Sequence, residues 1–160
     1  GGVLRAGGRR DEEREGEREV GFRSALRGSG RRIIDVTDSD GIDANNERLV
    51  LDALRCHPGV DAVYSVGGGN TATLAAFEQL GRQCRVFIAH DLDEDNRRLL
   101  RDGRISAVLH NDLQADARLA VRMILQARGA LPAEPANLVP VQIVTPHNMP
   151  SQQLTSGQQS

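Results

Sequence analysis

With 160 residues the chain has room for one domain with a modest core and not for several. Apolar residues make up 39% and charged residues 26%, which is the composition of a globular domain rather than of a disordered or fibrous chain. A formal net charge of −2 gives no general attraction to nucleic acid or an anionic membrane, and no apolar run reaches the roughly 18 residues that span a bilayer.

Residues 1–10 hold four glycines and little apolar content, and read as irregular or as a damaged strand end. From Asp11 the pattern turns helical: Asp11, Glu12 and Glu13 suit a helix N-terminus, and Phe22, Ala25 and Leu26 fall on one face before Gly28 and Gly30 end the run. Regular alternation follows. A strand over Ile33–Val36 leads to a helix over 44–56 that buries Leu49, Val50, Ala53 and Leu54. Pro58 and Gly59 break the chain before the strand Ala62–Val66 and a helix over Asn70–Leu80. The strand Val86–Ala89, a helix over Glu94–Arg101, the strand Ala107–Leu109 and a helix over Leu113–Arg128 come next, and Leu138–Val144 reads as a last strand. Residues 1–149 thus form one domain, and the polar segment 150–160 reads as a disordered tail. Strands alternating with helices predict an α/β fold, a parallel sheet with helices on both faces.

In such a sheet ligands bind in the crevice beyond the carboxyl ends of the strands. Thr37, Asp38, Ser39 and Asp40 follow the strand ending near Val36; Gly67, Gly68, Gly69 and Asn70 follow Val66. His90 and Asp91 follow the third strand of this series, and His110, Asn111 and Asp112 the fourth. Four strand ends in a row offer donors and acceptors, the mixture that a hydroxyl-rich ligand needs. Asn70 and Asp112 are also good helix N-caps, so capping is the competing reading at those two positions.

Gly67, Gly69 and Ala72 fit a loose G-x-G-x-x-G/A fingerprint, with Asp91 about 20 residues on where a ribose-binding acid belongs, so a nucleotide-dependent enzyme is one alternative. Against it, the fingerprint strand usually opens its unit, and here a complete strand and helix precede it. His90 beside Asp91 has no accompanying nucleophile, so no catalytic set is assigned. No histidine spacing suggests a metal, and no cofactor is expected. Cys56 and Cys84 lack CxxC spacing and read as reduced thiols of a cytosolic protein. All 20 basic residues are arginine and scattered, which reads as coding bias rather than chemistry.

Several stretches resemble one family. Arg18, Gly21 and Phe22 match an arginine-x-x-glycine-aromatic motif, VDAVYSVGGGNTATLAAFEQLGR matches a strand leading to an asparagine and a helix, and VFIAHDLDEDNRRLLRDGRISAVLHNDLQADARLAV matches a strand with an acidic end, a helix and a short strand ending in an amide. Together they resemble the C-terminal effector-binding part of LacI-family transcription regulators and their relatives, the type I periplasmic sugar-binding proteins. The resemblance implies a type I periplasmic-binding-protein-like fold represented mainly by its C-terminal lobe. It implies a sugar or polyol effector held by Arg18, Asn70, Asp91 and Asn111, the last with shorter reach than the family's usual glutamine. It also implies a cytoplasmic homodimer that meets operator DNA only through an N-terminal helix-turn-helix region, and no membrane partner. The alternative within the same resemblance is a periplasmic sugar-binding protein of an ABC transporter. Either way, the helix after Asn111 is expected to cross to the other lobe, leaving Leu119, Ala120, Met123 and Ile124 without a partner here.

Overall fold

The computed structural model describes residues 1–8, 13–39, 43–135 and 140–150. The elements are β1 (Gly2–Gly8), α1 (Glu13–Leu26), β2 (Arg32–Ser39), α2 (Asp43–Cys56), β3 (Val60–Ser65), α3 (Asn70–Gln79), β4 (Val86–His90), α4 (Glu94–Arg101), β5 (Ala107–His110), α5 (Leu113–Ala127) and β6 (Gln142–Val144). They build one six-stranded sheet in the order β2-β1-β3-β4-β5-β6. The first five strands pair in parallel, and β6 pairs antiparallel with β5. The α/β reading holds, with two corrections.

The first concerns the glycine-rich start. Instead of an irregular end it is β1, flanked by β2 and β3, with Val3, Leu4, Ala6 and even Arg5 buried. A strand paired on both sides has its backbone satisfied by its neighbours and needs few large side chains of its own. Counting apolar residues therefore undervalued it. The second correction is the direction of β6, which closes the sheet as an antiparallel edge. Part of the strand read over Leu138–Val144 lies outside the described residues, as does the tail after Pro150.

Alternation along the strands splits the core in two. Leu4, Val63, Phe87, Ala89 and Val108 point to one face, where Val50 and Leu54 of α2, Leu74 and Phe77 of α3, and Leu99 and Leu100 of α4 complete the larger cluster. Each such buried side chain contributes roughly 1.5–3 kcal/mol. Val3, Ala62 and Tyr64 point to the other face, with Phe22 and Leu26 of α1 against them; Ala25, expected beside them, is exposed. An open groove of about 380 Å³ remains on that face, lined by Val3, Phe22, Leu26, Tyr64, Val86 and Ile88.

An ionic clamp holds α1 down. The buried guanidinium of Arg5 lies 3.1 Å from Glu19 of α1 and 3.6 Å from Asp35 of β2. Arg23 reaches the same two carboxylates at 2.8 and 2.7 Å, and those hydrogen bonds, Asp35's first, hold its proton more tightly than usual. The second apolar helix, α5, behaves differently. It fully buries none of its residues: of the four expected to lack a partner, Ala120, Met123 and Ile124 are exposed and Leu119 is half-buried.

Candidate functional site

The parallel strands bring their carboxyl ends to one edge. The side chains of Thr37, Asp38, Ser39 and Asp40 lie outside the described residues. At the next strand end, Gly67–Gly69 lead into α3. Gly69, not Asn70, is the N-cap: its φ is 77° and no side chain caps the helix. The capping reading of Asn70 is therefore corrected, whereas Asp112 does cap α5, accepting from Ala115 N at 3.0 Å.

Gly69 has a local explanation. A Cβ there would fall 2.3 Å from Nδ2 of Asn46, a buried residue of α2. That amide donates to Gly69 O at 2.9 Å and to Thr73 Oγ1 at 3.3 Å. The close approach of Asn46 and the left-handed backbone account for the glycine without a phosphate.

Freed from capping, Asn70 turns inward. It is 6% exposed, and its Nδ2 donates to Asn96 Oδ1 at 2.8 Å. Its own Oδ1 is buried and finds no partner among the described residues. Asn96 in turn donates through Nδ2 to the carbonyls of His90 and Asp91, at 3.0 and 2.8 Å. Asp91 has a φ of 64°, a left-handed conformation that few residues other than glycine adopt, and Asn96 ties its carbonyl down. Two residues singled out from sequence, Asn70 and Asp91, are thus joined through a third that was missed. The signal existed: Asp93 caps α4 by accepting from Asn96 N at 2.7 Å, and a polar residue three positions after a cap can reach back over the helix start.

Arg18 belongs to the α1 side. Its positive charge acts on Tyr64 and His90, which share a 2.8 Å hydrogen bond between the phenol oxygen and Nε2. Phe22 stacks on Tyr64, with centroids 4.2 Å apart and planes 3° from parallel. Burial pushes His90 down to about 4; Arg18 adds to this and Asp91 opposes it. Burial raises Tyr64, against the pull of Arg18 and Arg5. A neutral His90 can hold Tyr64 but is poorly suited to carry a proton at neutral pH. Asn111 is half-buried at the end of β5, one strand beyond Asp91, and no described side-chain hydrogen bond joins it to the others. The β4 and β5 ends are tied by Asp91 N to Leu109 O at 2.9 Å.

A parallel sheet in the order 2-1-3-4-5, with polar residues gathered where its strands end, defines an α/β ligand-binding domain. The sequence matches the family model described as periplasmic binding protein domain over residues 1–130, and the chain belongs to that family. No curated protein matches the sequence. Among solved structures, GanP, a glucose-galactose binding protein from Geobacillus stearothermophilus, aligns with a TM-score of 0.79 at 22% identity, over 93% of this chain and 54% of its own. A substrate-binding protein of a sugar ABC transport system from Bordetella parapertussis gives 0.76 at 19%, over 92% and 50%. AraP, an arabinose binding protein from Geobacillus stearothermophilus, gives 0.76 at 17%, over 92% and 55%. At these identities the likeness shows the fold. The chain spans about half the length of these proteins.

Proposed function

We propose that this chain is one lobe of a sugar-binding protein, using Asn70, Asp91, Arg18 and Asn111 to hold a sugar or polyol. The observation that carries this reading is the linked pair of Asn70 and Asp91 at adjacent strand ends in a periplasmic-binding-protein domain. An amide and a carboxylate offered from adjacent strand ends suit neighbouring hydroxyls, and an arginine adds a fixed fork of donors. The names of the solved relatives, which bind glucose, galactose and arabinose, support the sugar class. The bare apolar face of α5 fits a protein with a second lobe. One lobe leaves a side of the ligand in water, so affinity in this chain is weaker than in a two-lobed protein. The role is binding rather than catalysis.

Two settings share this site. The solved relatives favour a substrate-binding protein that hands sugar to an ABC transporter outside the cytoplasm. The resemblance of the stretch from Arg18 to about Pro150, which LacI-type regulators share with these proteins, supports a second reading, the effector-binding lobe of a cytoplasmic homodimer whose DNA contacts lie elsewhere. The coding sequence upstream of Gly1 separates them: a signal peptide fits the first and a helix-turn-helix the second.

Calorimetric titration of the chain with galactose, glucose and arabinose tests the site itself. A hydrogen bond to a charged group contributes about 1.5–3 kcal/mol, so Asp91→Ala is expected to weaken binding about 10- to 100-fold, and Asn70→Ala somewhat less. Tight nucleotide binding by the wild-type chain, with no response to any sugar, would sink the proposal in favour of a nucleotide enzyme.

A further inference from the structure

We infer that Asn96 is a positioning residue that fixes Asn70 as a hydrogen-bond acceptor beside Asp91, so that this edge selects a neutral ligand donating hydroxyls over one bringing a carboxylate. The ligand-class half of the inference rests on the sugar-binding reading above; the positioning half does not.

The argument is one of forced orientation. The carbonyl oxygens of His90 and Asp91 can only accept, so the end of the Asn96 amide facing them, at 3.0 and 2.8 Å, must be its NH₂. Its Oδ1 then faces Asn70 and must receive a proton, which obliges Asn70 to present Nδ2, at 2.8 Å. No choice remains for Asn70: its carbonyl oxygen is the group left over. That atom is buried and unpartnered among the described residues, a state a ligand hydroxyl relieves and a ligand oxyanion does not. Asp91, as a carboxylate, also only accepts, and a second negative charge beside it is unfavourable. The same Asn96 amide secures the left-handed backbone that turns Asp91 out of β4. One side chain thus orients one acceptor and supports the turn that carries the other.

Nuclear magnetic resonance on the ¹⁵N-labelled 160-residue chain tests both halves. The side-chain NH₂ groups of Asn96 and Asn70 are expected to exchange with water at least about 10-fold more slowly than a free asparagine amide, because both are buried and hydrogen-bonded. D-Galactose is expected to shift the Asn70 and Asp91 resonances, while D-galacturonate, which carries a carboxylate in place of the terminal hydroxymethyl group, binds at least about 10-fold more weakly. Asn96→Asp keeps an oxygen facing Asn70 but sets acceptor against the carbonyls of His90 and Asp91; it is expected to weaken galactose binding by a similar factor. Should that variant fail to fold, the wild-type exchange rates and the galactose–galacturonate comparison decide the matter. Free-asparagine exchange at Asn70, unchanged galactose affinity in Asn96→Asp, or galacturonate binding as tight as galactose each overturns the inference. Slow amides in a chain that no sugar perturbs uphold the positioning role and overturn the sugar-binding reading instead.

Discussion

A methyl group at position 69 would fall 2.3 Å from the Asn46 amide and would sit on a backbone whose left-handed φ of 77° favours glycine. Gly69→Ala is therefore expected to lower stability by about 2–4 kcal/mol, strain and overpacking combined, as measured by urea denaturation. His90 carries a pH signature. Its folded value of about 4 lies below the ordinary 6.5, so the unfolded chain binds the extra proton first. Stability is then full above pH 6.5, falls as the pH drops from 6.5 towards 4, and levels off below, a loss of roughly 3 kcal/mol. Denaturation midpoints between pH 7 and 4 check this, and His90→Gln is expected to flatten the slope. Legibility at this scale was partial. Asn70 and Asp91 stood out because strand ends are conspicuous in sequence; Asn96 was marked only by its place three residues after the Asp93 cap, and its acceptors are backbone carbonyls that no residue pattern records. Arg5 was invisible for a related reason. Its carboxylate partners, Glu19 and Asp35, lie on two other elements.

Elements divide by how much of their fate is local. The helices α2 to α5 announced themselves through apolar spacing and terminal glycines, and α4 runs over Glu94–Arg101 as read from sequence. Strand β1 did not, since its stability comes from neighbours on both sides rather than from its own side chains. The contrast between α4 and α5 yields a direct comparison. Leu99 of α4 is 2% exposed and Ile124 of α5 is 56% exposed. Leu99→Ala is expected to cost about 2–5 kcal/mol, whereas Ile124→Glu changes the stability of this chain by less than about 0.5 kcal/mol. Urea denaturation of both variants checks the pair; a large loss in Ile124→Glu would mean that α5 packs on its own sheet after all.

At the scale of the whole molecule, the parallel sheet and its binding edge were legible because alternation, crossover handedness and strand-end chemistry are general. The antiparallel return of β6 was not, because three residues cannot declare their direction. That return has a topological consequence. His110 pairs with Gln142, so the chain leaving the sheet after β5 comes back directly beside its point of departure. Strands β5 and β6 therefore pair as the two arms of a β-hairpin do, with α5 carried between them. A two-residue Asn-Gly turn can close such a hairpin. Since α5 fully buries none of its residues, that shortened chain is expected to keep its six strands in order and its urea midpoint close to the parent's. The helix is an arm that the sheet reaches out and takes back, separable from the body that supports it.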